Sequence, residues 1–343
     1  MIEIDGSLGE GGGQILRTAL SLAMVTGRGF RIKNLRAGRK KPGLLHQHLT
    51  AVKAASRVAG AHVKGMELGS TRLAFEPQEA QPGQYEFDIG TAGSTTLVLQ
   101  TVIPPLLLAE KASTIVIKGG THNPLAPPVE FLSRTYLPLI ERQGAKVTLT
   151  LRSYGFYPGG GGIIEASIEP AAKLVPLYLE EKRKIIAIET AALICRLPES
   201  IAQRELDELS QKLGATAGTA IKKGAIINGE RSGGPGNAVF VHIETGEITE
   251  TISALGRKGL RAEMVADEAA RQAKRYLDAG APVGEHLADQ LLLPFALAGS
   301  GSFVTGAPSS HTLTNIETIR QFLDVEIELQ TYTTGQVKVV ITS

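Results

Sequence analysis

One order of elements occurs three times along this chain, and that repetition constrains the fold more than any other feature. From about residue 9 the sequence reads as a glycine-rich loop, an apolar helix "QILRTALSLAMVTG", a strand "FRIKNLRAG", a loop "RKKPG" and a second helix "LLHQHLTAVKAASRVAG". From about residue 90 the order recurs as "GTAGS", helix "TTLVLQTVIPPLLLAE", strand "STIVIKGG", loop "THNPLAPP" and helix "VEFLSRTYLPLIERQG". A third copy starts near residue 284 with helix "GEHLADQLLLPFALAG", strand "SFVTGAP", loop "SSHT" and helix "LTNIETIRQFLD". Residues from about 182 to 277 fit no copy: they read as strand "KIIAIETAAL", helix "SIAQRELDELSQKL", the turn-rich "NGERSGGPGN", strands "AVFVHIET" and "EITETISALG", and helix "RAEMVADEAARQAKRYLDAG". The expected organisation is an α/β (α+β) core of repeats over residues 1–181 and 278–343, interrupted by a small inserted α/β domain over 182–277 with its own core.

Charge and cysteine usage narrow the function classes. A formal net charge of +2 over 343 residues gives no global field for wrapping nucleic acid, so any polyanion contact has to be a local patch. The single cysteine, Cys195, lies in the apolar "TAALICRLP", which excludes an internal disulfide framework and a thiolate metal cage and reads as a small buried side chain. The longest apolar run, "LVLQTVIPPLLLA", is broken by Gln100, Thr101 and two prolines and is too short for a bilayer. The chain opens on a strand pattern with no basic-then-apolar leader, so a cytoplasmic protein without membrane association is expected.

Four segments concentrate the residue types that do chemistry. In "DGSLGEGGGQILR" a glycine run leads into a helix, exposing backbone N–H groups at the positive helix end, a phosphate-binding arrangement that is neither a P-loop nor GxGxxG. Glu10 in that loop would repel a phosphate unless a divalent cation lay between them; the other reading is a carboxylate serving the helix dipole. Arg17 follows on the first helix, either aimed at that loop or snorkelling to solvent. The loop "LRAGRKKPGLLHQHL" brings Arg36, Arg39, Lys40 and Lys41 together ahead of Gln47, a local anion site or a solvated basic loop. His46 and His48, two apart on the next helix, face different sides and make a poor metal pair.

In "GEHLADQLLLP", His286, Asp289 and Gln290 fall at i, i+3 and i+4, on one face of a helix start that could hold a base, a ribose or a phosphate. The stretch "GSFVTGAPSSHTLTNIETI" places His311 in a loop between the strand at Phe303, Val304 and Thr305 and a helix capped by Thr314 or Asn315. Three roles stand open for it: a structural histidine, a general base, or a covalent nucleophile whose labile N–P bond passes a phosphoryl or nucleotidyl group onward.

The blocks "GEGGGQILRTALSLA", "RAGRKKPGLLHQHLTAVKAA", "GTAGSTTLVLQT", "GGTHNPLAPP", "GFYPGGGG", "GGPGN", "VGEHLADQLLLP" and "PSSHTLTNI" resemble, in order and over essentially the whole chain, the RNA 3'-terminal phosphate cyclases. That resemblance implies three βαβαββ-type repeats in a pseudo-threefold core, enolpyruvyl-transferase-like, with an inserted α/β domain. It implies that His311 attacks the ATP α-phosphorus, giving a covalent His–AMP, that AMP passes to an RNA 3'-phosphate, and that the neighbouring 2'-hydroxyl closes a 2',3'-cyclic phosphate. By the same resemblance Glu10 contacts the metal, Mg²⁺ or Mn²⁺, and Arg17, Arg36, Arg39 and Gln47 contact the RNA terminal phosphate and nucleotide end. Gln100, Pro127, Phe131 and the run His286, Leu287, Ala288, Asp289 and Gln290 form the ATP pocket. Bacterial relatives often hold tyrosine at position 286, where histidine offers less stacking area for adenine. The expected partners are therefore ATP and RNA with a 3'-terminal phosphate, with a homodimer left open. Two rival readings are a noncatalytic cyclase-like ribosome-assembly factor, which would lack the nucleophilic histidine, and an enolpyruvyl transferase on the same architecture.

Overall fold

The computed structural model describes residues 1–9, 11–214 and 221–343. The first repeat runs β1 (Ile2–Asp5), α1 (Gln14–Thr26), β2 (Phe30–Lys33), α2 (His46–Val58), β3 (His62–Lys64) and β4 (Leu73–Glu76), with its strands ordered β1-β2-β4-β3. The second runs β5 (Gln84–Asp88), α3 (Thr95–Leu107), β6 (Ser113–Gly119), α4 (Val129–Phe131), a π-helical turn (Leu132–Tyr136), α5 (Leu137–Arg142), β7 (Lys146–Ser153) and β8 (Gly162–Glu169), ordered β5-β6-β8-β7. In both sheets the first two strands are parallel and the closing hairpin is antiparallel. Each copy is thus a βαβ unit whose second strand takes a hairpin on its other side.

The third repeat begins with the two-residue β9 (Tyr178–Leu179) and is then interrupted by β10 (Ala187–Cys195), α6 (Glu199–Leu213), β11 (Ala225–Asn228), β12 (Gly236–Glu244), β13 (Thr249–Leu255) and α7 (Ala262–Ala279). These interrupting strands form a separate sheet, ordered β11-β10-β12-β13. The repeat resumes with α8 (Glu285–Leu297), β14 (Ser300–Thr305), α9 (Ser310–Phe322), β15 (Glu326–Thr331) and β16 (Val337–Thr342), and closes the order β9-β14-β16-β15. The three βαβαββ units of the mixed α/β fold therefore share one strand order, the third split after its first strand.

Hydrophobic patterning explains which helices lie inside. Nearly every side chain of α1 is buried and α3 is apolar on all sides, as a helix packed by neighbours on every face must be. They pack on each other, with α9 against α1 and α2 against α3, so helices of different repeats meet in one large core. Pro105 within α3 supplies no N–H to the Thr101 carbonyl four residues back, and Ser21 Oγ of α1 donates to that oxygen at 2.7 Å. The interrupting sheet buries both faces. One face packs α6 and α7 around Ile188, Val239, Leu209 and Ala269. The other packs Leu193, Cys195 and Phe240 against Phe156, on which His122 stacks at 5.0 Å.

Several expected boundaries move. His311 lies in the first turn of α9, and not in a loop, because the helix starts at Ser310 with Ser309 as its cap; Thr314 and Asn315 are interior helix residues. The strand read across "FRIKNLRAG" stops at Lys33, since Asn34 and Arg36 adopt φ of 57° and 55° and turn the chain away. The second helix of the middle repeat, read as continuous, contains the π-helical turn. The closing hairpins of the three repeats were expected only through the resemblance and not from the pattern along the chain, because their edge strands alternate buried with exposed polar residues.

The core gives one direct expectation. Phe303 of β14 is fully buried and meets Phe295 of α8 edge-to-face at 5.6 Å. Phe303→Ala should cost about 3–5 kcal/mol in urea unfolding, through lost transfer energy and the cavity left behind.

Candidate active site

The first turn of α9 presents His311 on the surface while Ser309 Oγ accepts from the Thr312 amide at 3.2 Å and fixes the turn. The ring Nδ1 lies 2.7 Å from Oε1 of Gln14, the first residue of α1, whose side chain is buried. The other end of that amide, Nε2, donates a short hydrogen bond to Asp289 Oδ1 on α8. Asn315, one turn beyond His311, donates from Nδ2 to the Asp289 carbonyl at 3.0 Å and accepts from Thr18 Oγ1 at 2.7 Å. Three helices from the first and third repeats therefore converge on one polar network.

This network sets the histidine's tautomer. A carboxylate only accepts, so the NH₂ of Gln14 faces Asp289 and its carbonyl oxygen faces the ring. Nδ1–H then donates to Oε1, and in the neutral ring this places the lone pair on Nε2. Burial pushes the Asp289 carboxyl above the usual carboxylate range, while the Gln14 hydrogen bond, His311, Arg17 and His286 act in the opposite direction.

A basic cluster adjoins the network. The Gly13 backbone lies so close to His48 and Arg17 that an added Cβ would stand 2.5 Å from the ring Nε2 and 3.0 Å from Arg17 Nη1. His48 is driven down to about 3, by burial first and then by the positive charges of Arg17, Arg36 and Arg39, so the ring is neutral. Its Nδ1 accepts from the Leu45 amide at 3.3 Å. Arg36 is buried, and its Nη1 donates to the Lys41 and Gly43 carbonyls at 2.7 and 2.8 Å, tying the basic loop to itself. Arg39 is exposed on the same loop. Gln47 Oε1 accepts from the Ser94 amide at 2.9 Å and joins the start of α2 to the cap of α3. Gly9, at φ 60°, abuts Thr314 so closely that a Cβ would overlap its hydroxyl, so the glycine loop lies directly on α9.

The other nucleotide-pocket candidates divide into two groups. Gln100 Nε2 donates a short hydrogen bond to Gln290 Oε1, joining α3 to α8, while Gln290 Nε2 donates to the His286 carbonyl at 3.2 Å. The Pro127 carbonyl accepts from Thr96 Oγ1 at 2.7 Å, and His286 is exposed. By contrast Phe131, Leu287 and Ala288 bury their side chains in the core. Glu10, the expected metal contact, lies outside the described residues. Among the described residues no group of three or more His, Cys, Asp or Glu side chains gathers as a metal site. No helix among them is long and apolar enough to cross a membrane.

Sequence reasoning overlooked Gln14, Asn315 and Thr18. The signal for Gln14 was there: a neutral amide at the entry of an otherwise apolar helix, next to the glycine run. Its partners lie 275 and 297 residues away along the chain, and no local pattern reaches that far.

Comparison with known proteins places this site in a family. The family model for RNA 3'-terminal phosphate cyclase matches residues 8–329. A protein of Koribacter versatilis (strain Ellin345) named RNA 3'-terminal phosphate cyclase is 53% identical over 329 residues, 96% of this chain and 92% of its own length. One of the same name from Ectopseudomonas mendocina (strain ymp) is 50% identical over 326 residues, 95% of this chain and 94% of its own. The chain belongs to the RNA 3'-terminal phosphate cyclase family. A solved enolpyruvyl transferase, NikO from Streptomyces tendae, aligns over 99% of this chain and 48% of its own at 11% identity and TM-score 0.38, too distant to carry an argument.

The neutral His48 has a consequence for stability. The unfolded chain protonates this ring below its ordinary value of 6.5, whereas the folded protein holds it neutral down to about 3. Its contribution is therefore fully present above 6.5 and is lost as pH falls through the window from 6.5 toward 3. Urea unfolding of His48→Gln at about pH 7, 5 and 4 should show a shallower loss on acidification than the parent. His242, also held down to about 4 by burial, keeps its own share of the slope.

Proposed function

We propose that this chain converts an RNA 3'-terminal phosphate into a 2',3'-cyclic phosphodiester at the expense of ATP, in three nucleotidyl and phosphoryl transfers of the ligase type. The observation that supports it most is the Asp289–Gln14–His311 network, which leaves a nucleophilic lone pair on the exposed ring. First, His311 Nε2 attacks the ATP α-phosphorus; the N–P bond forms as the bond to pyrophosphate breaks, and pyrophosphate leaves with the electron pair. Next, an oxygen of the RNA 3'-phosphate attacks the same phosphorus, the N–P bond breaks, and its electrons return to the ring. Finally the 2'-hydroxyl attacks the activated 3'-phosphorus, losing its proton as AMP departs. Dividing the reaction this way converts a poor leaving group into a good one, and the vicinal hydroxyl adds a large proximity advantage.

In this reading Arg17, Arg39 and Gln47 receive the terminal phosphate, with Arg36 holding the loop that presents Arg39. Gln100, Pro127, Phe131 and residues 286–290 build the nucleotide pocket, the buried members through backbone and shape. A divalent ion, Mg²⁺ or Mn²⁺, would arrive with the ATP phosphates, and Glu10 is the residue assigned to it. Residues 1–181 and 278–343 form the catalytic core and 182–277 an inserted domain, in a cytoplasmic protein.

His311→Asn should lose both cyclic-phosphate formation and self-labelling from ATP labelled at the α-phosphate; labelling that persists would refute the assignment. Gln14→Leu should lower the single-turnover labelling rate about 10–100-fold, the usual cost of removing a group that orients a reactive histidine. Arg39→Ala should label normally but transfer AMP to RNA poorly, and equal losses in both steps would show that the phosphate and nucleotide sites are not separate.

A further inference from the structure

Glu250 lies in β13 of the interrupting sheet, outside the helices that carry the candidate site, and its side chain is buried. Its Oε2 accepts from the Gly284 amide at 3.2 Å. Gly284 is the cap of α8, the helix that bears His286, Asp289 and Gln290. The contact is close: an added Cβ at 284 would stand 2.5 Å from Glu250 Oε1 and 2.6 Å from its carboxyl carbon, so the carboxyl would have to shift.

Both sides of this contact are anchored. On the sheet side, the Thr249 carbonyl accepts from Thr135 Oγ1 of the π-helical turn at 2.6 Å, and the Glu247 carbonyl accepts from Arg142 Nη1 of α5 at 3.0 Å. On the helix side, the Val283 amide donates to the Val304 carbonyl at 3.1 Å, and Val283 bridges Thr305 at the end of the strand that leads to His311. The Tyr276 hydroxyl donates to the Pro282 carbonyl at 3.0 Å, closing the remaining side. Residues 282–284 are thus held between the interrupting sheet, the middle repeat and β14.

We infer that Glu250 is a positioning residue for adenylylation: the inserted sheet uses its carboxyl to fix the start of α8, and so the placement of Asp289 against Gln14 and His311. The inference rests on the adenylylation reading of His311 given above. Burial without a cationic partner raises this carboxyl to about 8, the Gly284 hydrogen bond opposing only part of the rise, so the group is chiefly neutral at pH 7. A neutral carboxyl and a glutamine amide both offer an acceptor oxygen to Gly284, which makes glutamine the conservative replacement. The geometry also predicts a specific coupling. Gly284→Ala forces the carboxyl aside, and shortening residue 250 removes the obstruction.

The test combines two readouts on the full chain: amide exchange of the 284–290 peptide, and single-turnover labelling from α-labelled ATP as a function of ATP concentration. Glu250→Ala should speed exchange at 284–290 at least tenfold and weaken half-saturation by ATP or slow labelling by a similar factor, while Glu250→Gln stays within about threefold of the parent in both, the scale of one modest hydrogen bond. Gly284→Ala should be impaired, and adding Glu250→Ala to it should cost no more. Normal labelling and unchanged 284–290 exchange in Glu250→Ala, even with lowered thermal stability, would overturn the inference, as would Glu250→Gln behaving like Glu250→Ala. If the parent itself does not label, the adenylylation reading fails. Exchange at 284–290 then still decides whether Glu250 fixes α8.

Discussion

The amide of Gln14 has one donor end and one acceptor end, and the placement of His311 depends on which end faces which neighbour. The partly buried carboxyl of Asp289 takes the donor end, so the acceptor end is left for the imidazole, and a ring N–H is directed there. In the proposed reaction the attacking nitrogen is then the other one, Nε2. With Asp289 as the acceptor, the selection is made by donor and acceptor count within a network closed by Asn315 and Thr18. Gln14, Asp289 and His311 belong to α1, α8 and α9, so the packing of the first repeat on the third holds the site together.

The basic cluster beside this network follows a different rule. Three arginines near one another would be unfavourable beside a fourth positive charge, and the buried imidazole of His48 accordingly stays neutral among them. Their own like-charge repulsion is offset locally where Arg36 donates to two loop carbonyls. The cluster therefore concentrates guanidinium charge around a neutral ring, an arrangement that suits a phosphate ligand.

How much of this was legible in the sequence depends on the range of the interaction. The repeats were readable because each unit advertises itself through local periodicity: the apolar runs of α1, α3 and α8, and the β-branched "STIVIK" of β6. The basic loop and His311 were readable as rare residue types in otherwise bland surroundings. Gln14 and Glu250 were not, because each acts on a partner from another part of the chain, and their significance appears only when α1 meets α8 and when β13 meets Gly284. The helical position of His311 was misread for a smaller reason. Ser309 and Thr314 are both acceptable caps in isolation, and the cap is Ser309, whose hydroxyl meets the Thr312 amide.

The central claim is that a proton held at Nδ1 by Gln14 makes Nε2 of His311 the attacking atom. The direct measurement is a ³¹P–¹⁵N correlation spectrum of protein carrying ¹⁵N-histidine after reaction with ATP and Mg²⁺ in the absence of RNA. The account predicts a single phosphorus coupled to the Nε2 of one histidine, lost in His311→Asn and discharged on adding RNA with a 3'-phosphate. Coupling to Nδ1, or to any nitrogen outside residue 311, would contradict it.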